Sequence, residues 1–187
     1  MLLSAFPASV SAMAVPCRTH ELALRESGRL VAGIDEAGVG AIAGPIIAAA
    51  AVLPLRWHEG LEVVTDSKAL SIEARCRARE TLVRVPDLIW ATGAVSPWRV
   101  DAIGASSAAL EAMSIAAARL EKKIRRCGPT RDETISTFYL VDGERVPANL
   151  HGQAIVQGDR KEASIATASI FATAAHVSQP APVRASR

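Results

Sequence analysis

Two apolar runs joined by a glycine-rich turn constrain this chain most. Leu30-Val31-Ala32-Gly33-Ile34 reads as a buried strand running into Asp35 and Glu36, and Ile46 to Leu53 reads as a second, ended by Pro54. Gly38, Gly40 and Gly44 punctuate the segment between them, which is the pattern of a β-hairpin. The longest apolar stretch, Ala41 to Leu55, is too short for a membrane span of ~20 residues and carries Pro45 and Pro54.

The chain has 187 residues, of which 50% are hydrophobic and 21% charged, so it can bury a core within one domain of ordinary size. Aromatic residues make up only 4%, so that core must be built from Ala, Val, Leu and Ile. A net charge of +2 neither requires nor excludes a nucleic-acid partner. Cys17, Cys76 and Cys127 lie far apart, with no C-x-x-C pair and no His at ligand spacing. This pattern indicates neither a zinc site nor a disulfide framework and fits a reducing, cytoplasmic compartment. Met1 to Val15 is apolar but lacks a basic start and is interrupted by Pro7, so it reads as a loose leader.

The expected organisation is residues 1–28 as leader with a short helix near His20 to Glu26, 29–176 as the folded domain, and 177–187 as an unstructured tail. Thr65-Asp66-Ser67 predicts a helix start, with the segment to Val85 stopped by Pro86. Leu88 to Val95 is a third strand candidate. Leu110, Met113, Ala117, Leu120 and Ile124 place an amphipathic helix from Ser106 or Ser107 to about Arg126. Its basic last turn suits the negative end of the helix dipole. Phe138 to Val141 is a fourth strand, and Ser164 is expected to cap a last helix running to about Ala175. Strands mixed with helices after an opening hairpin predict an α/β domain with a mixed sheet.

Two of the strand-like runs end in acids: Asp35-Glu36 after the first and Asp142 after the fourth. Ligands of open α/β sheets bind at such strand ends. Carboxylates gathered from separate strands repel one another unless a cation lies between them, and oxygen ligands without Cys or His point to Mg²⁺ or Mn²⁺. Asp-Glu-Ala-Gly and Asp-Gly are equally ordinary turn sequences. Adjacent strand residues also face opposite ways, so Asp35 and Glu36 share a site only if the strand ends there or one contributes through its backbone.

A resemblance settles which reading to carry forward. Gly33-Ile34-Asp35-Glu36-Ala37-Gly38-Val39-Gly40 with Ala43-Gly44-Pro45 resembles the opening signature of the type 2 ribonuclease H (ribonuclease HII) family. Further collinear likenesses follow: Asp66-Ser67-Lys68 with Leu70-Ser71, Val100-Asp101 leading to Ala112-Met113, and Val141-Asp142-Gly143. Gly158-Asp159 and Ser164 to Ile170 complete them. The resemblance implies a ribonuclease H-like fold, a mixed central sheet flanked by helices. It implies cleavage of the RNA strand in RNA/DNA hybrids and incision at ribonucleotides embedded in duplex DNA, leaving 5′-phosphate ends. It implies that Asp35, Glu36 and Asp142 are the catalytic metal ligands for Mn²⁺ or Mg²⁺. In two-metal hydrolysis one ion activates water and the other stabilises the leaving 3′ oxygen, with the ions ~3.5–4 Å apart. Gly38, Val39, Gly40 and Lys68 are the implied substrate-binding residues, although a Lys in a helix's first turn is also ordinarily just solvated. No membrane partner is implied, and a monomer is expected. Asp159-Arg160-Lys161 is expected to be structural, and the four histidines are assigned no role.

Three departures from the family pattern bear on activity. The loop reads Gly38-Val39-Gly40 where the family has G-R-G, which keeps the close backbone approach but removes a guanidinium. The family's fourth carboxylate falls at Val177, and a family lysine falls at Thr173. After Ala172 the likeness stops, as a truncation or frameshift would produce, and the family's C-terminal helical region with its tyrosine is missing. The expectation is an impaired endoribonuclease; the alternative is a degenerate relative that binds hybrid or metal without turnover.

Overall fold

In the computed structural model the described residues are 16–41, 44–64, 70–127 and 136–179. The hairpin forms as predicted: β1 (Leu30–Ala37) pairs antiparallel with β2 (Ile46–Val52), and β2 pairs antiparallel with β3 (Ile89–Val95). On the other side β1 pairs parallel with β4 (Thr137–Asp142), which pairs parallel with β5 (Gly152–Ile155). The sheet is therefore mixed, in the order β3-β2-β1-β4-β5. The C-terminal ends of β1, β3 and β4 lie on one edge.

One helix layer covers each face. α4 (Ala105–Cys127) buries its Ala108, Ala112, Met113, Ala116 and Leu120 side against Ala32, Ile34, Ala48 and Ala50. α6 (Ala163–Val177) packs on the opposite face with Ala49, Ala51 and Leu53, joined by α2 (Ile72–Leu82). Ala48 to Ala51 of β2 are all buried, so small residues let both helix layers approach the same strand. The approach is closest at Gly33, where a Cβ would lie 2.2 Å from the backbone carbon of Ser164.

α1 (Thr19–Glu26) is tied to this body by buried charge. Glu21, fully buried, pairs with Arg18 at 2.6 Å and Arg25 at 3.0 Å, while Arg25 also donates to the Leu53 carbonyl at 2.7 Å. Glu162, also buried, accepts from the backbone N–H of His20 at 3.0 Å and contacts its Nδ1 at 2.7 Å.

Several local expectations change. α2 starts after Ser71, whose hydroxyl accepts from the Ala74 N–H at 3.2 Å; the Thr65–Ser67 start lies outside the described residues. Ser164 does not cap α6: Glu162 holds the cap position, and Ser164 is buried in the first turn against Gly33. α6 also continues past Ala175 to Val177. α3 (Pro97–Ile103), β5 and the short α5 (Gly158–Lys161) are additional elements. No helix among the described residues is long and apolar enough to cross a membrane.

Candidate active site

The parallel register of β1 and β4 pairs Ile34 with Val141, so the next residue on each strand is an aspartate. Asp35 and Asp142 thus stand side by side at the edge where the sheet opens. Asp35 shares the face of Val31 and Gly33, beneath α6, and is only 4% exposed. Its Oδ1 accepts from the Glu36 N–H at 2.8 Å, and the Ser169 hydroxyl of α6 also bonds to it. Asp142 Oδ1 accepts from the Gly158 N–H at 2.6 Å, at the start of α5.

Burial pushes the Asp35 carboxyl well above the usual carboxylate range. The negative charges of Asp142 and Glu36 push it further the same way, while the bonds from Ser169 and the Glu36 N–H oppose both. The site therefore holds crowded carboxylates in a poorly solvated place, partly relieved by two donors.

Glu36 does not join the pair face to face. β1 runs on to Ala37, so Glu36 leaves the strand on the α4 side, while its backbone N–H serves Asp35. It is close enough for its charge to raise Asp35, yet no three His, Cys, Asp or Glu side chains form a ready metal cage among the described residues. Asp35 and Asp142, with Glu36 near enough for its charge to bear on Asp35, are the carboxylates a divalent ion could meet here. That donor set suits Mg²⁺ or Mn²⁺, which take one or two carboxylates and complete their shells with water and substrate phosphates.

The glycine-rich turn follows directly. Gly38 sits at φ +98°, a left-handed conformation that disfavours any Cβ, and its carbonyl accepts from the Ala41 N–H at 3.1 Å. Val39 is 40% exposed and Gly40 is exposed, so both present themselves to solvent beside the acids. Lys68 lies outside the described residues. Val177 ends α6 and is 40% exposed.

Three contributors carry no assigned role in the sequence reading: Ser169, the Gly158 N–H and His176. Ser169 had a legible signal, being a hydroxyl in a helix of Ala and Ile that needs a buried partner. His176 packs under Gly38, a contact between distant segments without local trace.

A five-stranded mixed sheet of this order, helices on both faces and an acid pair at the ends of adjacent parallel strands define a ribonuclease H-like protein. The Ribonuclease HII family matches residues 32–179, beyond the Ala172 at which the sequence likeness was expected to stop, and the chain belongs to that family. Ribonuclease HII of Chlamydia abortus is 38% identical over 82% of this chain and 66% of its own length. The chain spans about two thirds of the length of the curated relatives it matches. In the solved PCNA:RNase HII complex from Archaeoglobus fulgidus, the matched chain is 26% identical with TM-score 0.57, covering 79% of this chain and 71% of that one. Bst-RNase HIII in complex with Mn²⁺ matches with TM-score 0.60 at 20% identity, covering 79% of this chain and 51% of that one, a likeness of fold.

Proposed function

We propose that the chain is a divalent-metal-dependent endonuclease. It hydrolyses the RNA strand of RNA/DNA hybrids and incises duplex DNA at embedded ribonucleotides, leaving 5′-phosphate and 3′-hydroxyl ends. The observation that carries this reading is the Asp35–Asp142 pair, closing adjacent parallel strands in a member of the ribonuclease HII family.

Each residue then has a task. Asp35, Glu36 and Asp142 would hold the cation, the charge of Glu36 already bearing on Asp35. Ser169 and the Glu36 N–H orient the Asp35 carboxylate, and the Gly158 N–H orients Asp142. Gly38, Val39 and Gly40 bring backbone close to the nucleic acid strand, and Lys68 meets a phosphate. A divalent ion held there would supply an activated water and charge for the leaving 3′ oxygen. Fixed donors around the acids limit the reorganisation that hydrolysis demands.

Val177 favours a second reading. Where the family carries a fourth carboxylate, this chain ends α6 with an exposed valine that offers no oxygen. A relative that binds hybrid or metal without turnover is the result of taking that loss to its limit. The test is cleavage of a labelled RNA/DNA hybrid with Mg²⁺ and Mn²⁺ in parallel, beside Asp35→Asn. Metal-dependent cleavage lost in the variant supports the nuclease. Hybrid binding without cleavage under either ion supports the second reading.

A further inference from the structure

We infer that His176 is a positioning residue: its imidazole supports the Gly38–Ala41 turn and fixes that loop's backbone against the nucleic acid strand. The inference rests on the proposed nuclease reading for its substrate, and on contact geometry for the rest. A Cβ built on Gly38 would lie 2.7 Å from His176 Cε1 and 2.9 Å from Nδ1, and 2.7 Å from the Pro45 carbonyl oxygen. A Cβ on Gly44 would lie 3.7 Å from the same Cε1. The ring thus lies against both ends of the loop, and Gly38 is glycine because ring and carbonyl occupy its side-chain space.

The ring acts by shape. Its Nδ1 is buried without a hydrogen-bond partner among the described residues, whereas His20 pairs with Glu162 and His58 accepts from the Gly60 N–H. An unsatisfied buried nitrogen costs stability, so a flat ring without one fills the place at least as well.

The support is rigid. Residues Ala163 to Ala172 of α6 are buried against the sheet, and its end is closed by the Ser178 and Gln179 N–H groups on the Ala174 and His176 carbonyls, each at 3.2 Å. The same helix carries Ser169, which holds Asp35, two turns earlier. One element therefore sets both the carboxylate and the loop that faces substrate, as a precise site requires.

The test compares the full-length chain with His176→Ala, His176→Leu and His176→Phe in two measurements. Amide hydrogen exchange at Ala41, whose N–H closes the turn, reads the loop without substrate. Binding of a fluorescent RNA/DNA hybrid in EDTA, with KM and kcat under Mn²⁺, reads the consequence. His176→Ala should exchange at Ala41 at least ~10-fold faster and raise the hybrid Kd and KM ~5-fold or more, with kcat within about twofold. His176→Phe should match the parent in both, and His176→Leu should fall between, giving the same comparison if the alanine variant loses helical signal. Unchanged Ala41 exchange and unchanged hybrid Kd in the alanine or leucine variant overturn the inference, as does a phenylalanine variant that behaves like alanine. If the parent chain binds no hybrid, the nuclease reading falls, and the exchange measurement alone still decides the loop contact.

Discussion

Asp35 and Asp142 follow a registered pair, Ile34 opposite Val141, on two parallel strands, and only Asp35 is enclosed by the helix above it. Parallel neighbours place successive residues at the same height, so two acids with no proximity in sequence arrive together at one sheet edge. The enclosure itself does most to raise the Asp35 carboxyl, the charges of Asp142 and Glu36 add to it, and the donors from Ser169 and the Glu36 N–H offset only part.

The first consequence is in metal-free stability. The folded Asp35 holds its proton to higher pH than the unfolded chain, whose Asp titrates at ~3.9. Between those two values the folded state binds more protons, so Asp35 makes stability fall as pH rises. Asp35→Asn removes that loss. Its Tm in EDTA should exceed the parent's at neutral pH, and the difference should vanish towards pH ~4. Mn²⁺ should raise the Tm of the parent and not of the variant; a Tm difference that does not change with pH contradicts the account.

Gly33 and Gly40 make opposite predictions for the same substitution. A Cβ at Gly33 meets the α6 backbone at 2.2 Å, so Gly33→Ala must push α6 off the sheet and should cost about 2–3 kcal/mol. A Cβ at Gly40 meets nothing within 4 Å, so Gly40→Ala should leave stability within about 0.5 kcal/mol. If the loop backbone approaches substrate, Gly40→Ala should still weaken hybrid binding. Denaturant melts and hybrid titrations of the two variants check this.

How far the site could be read in advance follows from the same residues. An apolar run that ends in acids is a local signal, so the hairpin, Asp35 and Asp142 were legible, and five likenesses in series carried the fold class. Whether Glu36 shares the face of Asp35 depends on where β1 ends, and its pairing with β2 extends it to Ala37. β5 (Gly152–Ile155) is a four-residue edge strand with no apolar run, so only pairing with β4 reveals it. α3 did leave a sign, Ser96 accepting from the Arg99 N–H ahead of Pro97 at its first turn, but it is too short for periodicity to show. Ser164 looked like a cap because Ser favours that place, yet burial against Gly33 decided its position.

Val39 offers a gain-of-function test. It is exposed at the tip of the turn, where the family pattern has a cation. Val39→Arg should tighten binding of an RNA/DNA hybrid in EDTA, and the gain should shrink as salt rises from 50 to 200 mM, as a phosphate contact requires. A gain independent of salt, or none, means the loop grips substrate through backbone alone.

Val177 predicts an ion preference. If Val177 stands where the family carries its fourth carboxylate, as the sequence resemblance implies, the second of two ions should bind weakly, and Mn²⁺ should support turnover better than Mg²⁺. Turnover with Mg²⁺ should lie ~10²-fold or more below that of an intact family member. Val177→Asp alone should recover little, because position 177 is the exposed last residue of α6, with no further turn of the helix to aim its side chain. Equal rates with both ions contradict this.

The central claim is tested most directly on a DNA duplex containing one embedded ribonucleotide, end-labelled and incubated with the chain in Mn²⁺, with product ends mapped and Asp35→Asn and Asp142→Asn run alongside. The account predicts one incision at the ribonucleotide, leaving a 3′-hydroxyl and a 5′-phosphate, abolished in both variants. Incision that persists in either variant, or a duplex left intact by the parent under Mn²⁺, contradicts it.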